Sequence, residues 1–229
     1  MTTSMTPNNP TPNPISVKFC GFTNADQLKT AIDLGVNAVG FVLYDQSPRA
    51  VTVEQANELA KTVPPFVTIV ALVVNMPEQD LVYLSHHMPF DVIQFHGDES
   101  AHLCHLMADR VNKRWIKALR VTDEDTEQSL LAQIQELKDF GACGVLLDAY
   151  HPDKFGGTGE RFDWGKIPKD SPLPIILAGG LTADNVGEAI VSLAKEGRQI
   201  VGVDVSGGIE SAKGVKSVEK MQKFLANVK

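Results

Sequence analysis

The stretch from Pro174 to Gly208, PIILAGGLTADNVGEAIVSLAKEGRQIVGVDVSGG, shows the organisation of the chain in miniature. A short apolar run, PIIL, ends in Ala178-Gly179-Gly180. An amphipathic segment follows, with Val186, Ala189, Ile190 and Leu193 three and four residues apart, and Gly197 stands where a helix would stop. A second apolar run, IVGVDV, then ends in Ser206-Gly207-Gly208. Strand, helix and strand in that order make a parallel pair joined by a crossover. Upstream, the pattern repeats in VKFCG (17–21), AVGFVLY (38–44), VTIVALVVN (67–75), DVIQFHG (91–97), WIKALRV (115–121) and CGVLLDAY (143–150), which makes eight runs in all. Eight strand–helix units in 229 residues predict a single (β/α)8 TIM barrel, a fold of roughly 250 residues. An open doubly wound sheet would carry a Gly-x-Gly-x-x-Gly turn after its first strand, and CGFTNA (20–25) is not one.

The segments between runs carry apolar residues at helical spacing, among them Leu28, Ala31 and Ile32; Leu103, Leu106 and Met107; and Val218, Met221 and Leu225. Thr52 and Gln55 have capping-box spacing, and Gly35 sits at a helix end. After the sixth run the chain reads as a long Gly-rich loop, HPDKFGGTGERFDWG (151–165), with only a weak helix before Pro172. Residues 1–14, rich in Pro, Thr and Asn, predict a disordered tail, and residues 15–229 the catalytic barrel.

A net charge of −7 argues against general nucleic-acid binding. It leaves an anionic small substrate open, since a few placed cations and amides suffice. No stretch approaches the ~18 apolar residues of a membrane helix, and the N-terminus lacks the pattern of a secretory signal. Cys20, Cys104 and Cys143 match neither a disulfide framework nor zinc spacing, so a reducing cytoplasm is the expected location. The expected assembly is a monomer or weak homodimer.

Barrel enzymes place their chemistry at the C-terminal ends of the strands, and side chains two apart along a strand share a direction. Lys18 and Cys20 therefore share one face of the first run, opposite Val17 and Phe19. A lysine two positions from a thiol favours the reactive thiolate. Gln94 and His96 share a face of the fourth run, Asp148 ends the sixth, and Asp204 and Ser206 share a face of the eighth. Each alone is equally explained as polar filling of the barrel interior. Polar groups at the ends of four strands together point to a site. Gly179 and Gly180 after the seventh run, with Ser206, Gly207 and Gly208 after the eighth, occupy the usual phosphate-binding loops of this fold. Turn or cap glycines are the plainer reading of each pair taken singly. Arg49, in Ser47-Pro48-Arg49, is placed to clamp a carboxylate or phosphate, or else is an exposed loop charge. His86, His87, His102 and His105 read as surface residues, Cys104 as helix packing, Cys143 as the start of the sixth strand, and Asp123-Glu124-Asp125 as a helix N-terminus. With no nucleophile elbow, cofactor motif or metal cluster in the pattern, a thiol and a carboxylate predict acid–base isomerisation of a phosphosugar, without cofactor or metal.

These same residues carry a resemblance to the phosphoribosylanthranilate isomerases. Lys18-Phe19-Cys20-Gly21 resembles the family's Lys-x-Cys-Gly opening, and Gln94-Phe95-His96-Gly97 its Gln-Leu-His-Gly. Ser47-Pro48-Arg49, Lys117-Ala118-Leu119-Arg120, Leu147-Asp148, Gly156-Gly157-Thr158-Gly159, Phe162-Asp163-Trp164, Leu177-Ala178-Gly179-Gly180-Leu181 and Asp204-Val205-Ser206 follow in order. Phe19 and Phe22 replace smaller aliphatics, Gly207 stands where Ser is usual, and Lys213 where Pro is common. The resemblance implies an Amadori rearrangement of N-(5-phosphoribosyl)anthranilate in tryptophan biosynthesis. It implies Asp148 as general acid on the ribose ring oxygen and Cys20 as general base at C2. It also places Arg49 on the anthranilate carboxylate, and Asp204 with the glycine loops at the phosphate end. Lys18, Gln94 and His96 are expected to line the substrate pocket. The histidine-pathway isomerase performs the same rearrangement with two aspartates, and Cys20 argues against it. A non-catalytic phosphosugar-binding barrel would have lost the acid or the base, and both are present.

Overall fold

The computed structural model describes residues 14–149 and 162–229. The expected N-terminal tail, but for residue 14, and most of the Gly-rich segment after the sixth run lie outside the described residues. Eight parallel strands close into a barrel: β1 (Ser16–Cys20), β2 (Ala38–Val42), β3 (Thr68–Val73), β4 (Val92–Phe95), β5 (Arg114–Val121), β6 (Gly144–Ala149), β7 (Ile175–Leu177) and β8 (Gly202–Val205). Closure is made by β1 against β8, with Val17 opposite Val203 and Lys18 opposite Asp204. Helices α1 (Ala25–Asp33), α2 (Val53–Ala60), α3 (Glu78–His87), α4 (Ala101–Arg110), α5 (Glu127–Asp139), α6 (Val186–Lys195) and α7 (Val218–Val228) wrap the outside. Between β6 and β7 the described residues hold only a one-turn 3-10 helix, Trp164–Lys166. No helix of the described residues is long and apolar enough to cross a membrane.

Strand periodicity separates two cores. Val17, Phe19, Ile93, Phe95, Val203 and Val205 face the helices and join the main apolar cluster. The alternate positions face inward. At the bottom of the barrel Val70, Val92 and Ile116 pack together. Near the top Cys20 packs with Val42, Leu72 and Val74. Between them lie polar groups, which is where the barrel departs from a hydrocarbon filling.

Local signals act as expected at several ends. Thr52 caps α2 in a reciprocal box with Gln55, and Gly35 and Gly197 adopt φ of +86° and +74° just past α1 and α6. Elsewhere the packing chose differently. On α4 the buried face is Ala101, Cys104, Met107 and Ala108, while Leu103 and Leu106 are exposed beside His102 and His105. Val218 of α7 is likewise exposed, and Phe224 takes the buried place with Met221 and Leu225. The acidic run 123–125 precedes α5 rather than opening it. Thr126 is the N-cap, and Asp125 instead accepts from Thr122 N, Thr122 Oγ1 and Ser129 Oγ. Cys143 lies one residue before β6 and is exposed.

Candidate active site

A cavity of about 930 Å³ opens at the C-terminal ends of the strands. Ten of the twelve residues singled out in the sequence line it: Cys20, Arg49, His96, Asp148, Asp204 and Ser206, with Gly179, Gly180, Gly207 and Gly208. Lys18 and Gln94 do not. They sit one layer deeper inside the barrel, buried, and each supports a residue above it.

Gln94 Nε2 lies 2.9 Å from His96 Nδ1, and His96 Nε2 lies 3.1 Å from Asp148 Oδ2. This line spans β4 to β6 across the barrel mouth. Ala149 N donates to the other oxygen, Oδ1, at 2.9 Å, so both carboxyl oxygens of Asp148 are held. The turn that carries His96 is braced by buried charges. Glu99 accepts from Asn75 N at 2.6 Å, from Gly97 N at 3.0 Å and from Lys117 Nζ at 3.0 Å. Lys117 also donates to Gly97 O at 2.7 Å. Buried charges of this kind are retained only when their hydrogen bonds are complete, and here they define where the imidazole stands.

Cys20 ends β1 on the other side of the mouth. Its carbonyl accepts from Ser206 Oγ at 2.9 Å, which ties the ends of β1 and β8. Lys18 donates to Asp204 Oδ1 at 2.8 Å across the closure seam. Lys18 does favour the Cys20 thiolate, as expected, but burial outweighs it. Burial pushes the Cys20 thiol above its ordinary value; Lys18 and Lys216 pull it down, and Asp204 adds to the rise. Lys18 spends much of its charge on Asp204, and burial wins. For Lys18 itself burial acts to lower the pKa, but Asp204 and Cys20 outweigh it, so the ammonium is held charged.

The two glycine turns meet. Gly179 has φ of +76°, and a side chain there would collide with Ala149 N and come within 3.0 Å of Asp148 Oδ1. A side chain at Gly208 would collide with Leu181 O. The loops after β7 and β8 are thus pressed together and against the carboxylate of β6. The N–H groups of Gly179, Gly180, Gly207 and Gly208 make no hydrogen bond among the described residues, an arrangement suited to an anion.

Arg49 is not an exposed loop charge. It is buried, and its fork meets Glu210, with Nε to Oε1 at 2.6 Å and Nη2 to Oε2 at 2.8 Å. Glu210 belongs to a short hairpin after β8, β9 (Glu210–Ala212) and β10 (Val215–Lys216). Lys216 Nζ donates to Glu210 Oε1 at 2.9 Å and to Ser206 O at 3.1 Å. Reading the sequence missed both Glu210 and Lys216, although Gly214 between two short polar–apolar stretches is a hairpin signal. Burial would raise the Glu210 pKa, but the Arg49 hydrogen bonds and the Lys216 charge outweigh it and lower it.

A closed parallel barrel that gathers a thiol, a carboxylate and an imidazole at its C-terminal rim belongs to the class of (β/α)8 acid–base enzymes. The family model described as N-(5'phosphoribosyl)anthranilate (PRA) isomerase matches residues 17–227. The chain is 45% identical over 212 residues to an N-(5'-phosphoribosyl)anthranilate isomerase of Pseudomonas putida, covering 93% of this chain and 96% of the relative. It is similar to the crystal structure of phosphoribosyl anthranilate isomerase from Thermotoga maritima, with a TM-score of 0.80, 30% identity, and 93% and 98% of the two chains covered. A phosphoribosyl anthranilate isomerase crystallised with reduced 1-(o-carboxyphenylamino)-1-deoxyribulose 5-phosphate matches with a TM-score of 0.77 and 30% identity, over 93% and 98% of the two chains. The chain belongs to the N-(5'-phosphoribosyl)anthranilate isomerase family, and it is an isomerase of tryptophan biosynthesis.

Proposed function

We propose that the chain converts N-(5-phosphoribosyl)anthranilate to 1-(2-carboxyphenylamino)-1-deoxyribulose 5-phosphate, with Asp148 as general acid and Cys20 as general base. The observation that carries this assignment is that both groups line one cavity from β6 and β1, and that Arg49 and the paired glycine turns line the same cavity. The ligand of the related complex has an aryl carboxylate at one end and a phosphate at the other, and the cavity offers a group for each.

Asp148 gives its proton to the ribose ring oxygen as the C1–O bond breaks, and the anthranilate nitrogen supplies the electron pair of the resulting Schiff base. His96, 3.1 Å away, holds the carboxyl in place. Cys20 then takes the proton from C2, and the electrons of that bond move toward nitrogen to give the enolamine. Protonation at C1 and loss of the enol proton yield the ketone. The buried thiol is a strong base once ionised. Lys18 and Lys216 offset the cost of ionising it. Arg49 holds the anthranilate carboxylate, while the N–H groups of Gly179, Gly180, Gly207 and Gly208, with Ser206, hold the phosphate. Asp204 keeps Lys18 beside Cys20.

The test is loss of substrate fluorescence in wild type and in Cys20→Ser. A positioned base is worth about 10²–10⁴-fold, so the variant loses that much kcat while its circular dichroism stays that of wild type. A Cys20→Ser protein keeping more than half of kcat removes Cys20 from the mechanism.

A further inference from the structure

Arg49 carries five N–H bonds in a rigid plane. Glu210 takes two of them, on the Nε–Nη2 edge. The other edge, formed by Nη1 and the second Nη2 hydrogen, has no partner among the described residues, and Arg49 lines the cavity. The stem of Arg49 is confined as well: a side chain at Gly21 would lie 2.6 Å from Arg49 Cδ, so only glycine lets the arginine pass.

Glu210 is itself fixed from three sides. Lys216 Nζ donates to its carboxylate at 2.9 Å, Lys220 Nζ donates to its carbonyl at 2.6 Å, and the β9–β10 pairing holds its backbone. The charge count matters. Arg49 and Lys216 carry two positive charges and the Glu210 carboxylate one negative, so these three side chains together keep one positive charge for an anion. A single carboxylate on Arg49 alone would have cancelled it.

We propose that Glu210 is a positioning residue for the aryl carboxylate of the substrate. It fixes the guanidinium plane so that the free edge receives that carboxylate in a forked pair, and Lys216 keeps the cluster positive. This inference rests on the reading of Arg49 as the carboxylate's partner. It predicts that Glu210 acts chiefly on the carboxylate end of the ligand. A residue needed merely for folding would affect both ends.

Two inhibitors separate the ends: the reduced product, and the same molecule without its ring carboxylate. Inhibition constants are measured on the full chain for wild type, Glu210→Gln, Glu210→Asp and Arg49→Ala. Glu210→Gln turns an amide N–H toward a guanidinium donor and weakens the reduced product roughly 10-fold, while the inhibitor without the carboxylate stays within about twofold. Glu210→Asp keeps the charge, withdraws it by one methylene and shows the same selective loss in smaller measure. It decides alone if Glu210→Gln does not fold. Equal weakening of both inhibitors, no change in either, or tighter binding of the reduced product overturns the inference. If Arg49→Ala fails to distinguish the two inhibitors, the reading of Arg49 falls. If Arg49→Ala distinguishes them and the Glu210 variants do not, only the positioning role falls.

Discussion

Gly40 stands beside Cys20 in the β1–β2 register, and its missing side chain makes room for the thiol. A Cβ there would lie 2.7 Å from Cys20 Sγ and 3.2 Å from both Cε and Nζ of Lys18. Non-bonded carbon atoms pack at about 3.5–4.0 Å, and sulfur is no smaller, so Gly40→Ala drives the thiol back by roughly 1 Å. The thiol has little room to do so, because Val42, Leu72 and Val74 pack around it. A misplacement of that size costs about 10²-fold in rate, and overpacking costs about 1–3 kcal/mol of stability. Domains of ordinary stability, about 5–15 kcal/mol, survive that loss. Gly40→Ala therefore folds, binds the reduced product nearly as wild type does, and loses most of its kcat. The assay is initial rate by substrate fluorescence at saturation, with urea unfolding and the inhibition constant of the reduced product measured alongside. A kcat within twofold of wild type, in a folded variant, would refute the argument that the position of Cys20 Sγ governs the reaction.

Asp148 and Arg49 line the same cavity, and kinetics separates the roles proposed for them. Asp148→Asn lowers kcat and kcat/KM together, because ring-oxygen protonation matters only as the bond breaks. Arg49→Ala acts chiefly on KM, by about 10–200-fold for a charged hydrogen bond worth roughly 1.5–3 kcal/mol. Steady-state curves showing the reverse would exchange the two roles. Stability in acid follows Glu210, whose pKa is lowered from 4.5 in the fold, burial being outweighed by Arg49 and Lys216. Just below 4.5 the unfolded chain binds more protons at this site than the native one. The stabilisation is therefore whole above that pH and is lost as pH falls through the folded value. Thermal midpoints read from about pH 6 to about pH 3 fall less steeply in Glu210→Gln than in wild type, and parallel curves would exclude Glu210 as a source of the acid limb.

Local periodicity made the barrel and most of its rim legible. Eight β-branched runs with helical segments between them leave few alternatives to a closed parallel barrel. A period of two also places Cys20 with Lys18, and His96 with Gln94, on inward faces. Period two does not give height along the barrel axis. Strand tilt and stagger set that height, and they put Cys20 and His96 at the cavity while Lys18 and Gln94 lie beneath it. A helical period likewise allows more than one face of α4 to turn inward. Packing against the barrel chose Cys104 and Met107 and left Leu103 and Leu106 outside.

The residues of the chain by themselves determined the fold class and the family resemblance, and through that resemblance the candidates for acid and base, because these depend on residue type and short-range spacing. Only the tertiary structure decided the charge environment. Lys18 is two positions from Cys20 in sequence, but it is tied to Asp204, 186 residues away, and burial raises the thiol despite it. Arg49 finds its counterion 161 residues along the chain, in a hairpin that periodicity did not announce. Charge–charge and desolvation energies depend on distance and depth in three dimensions, and a linear order of residues holds neither quantity.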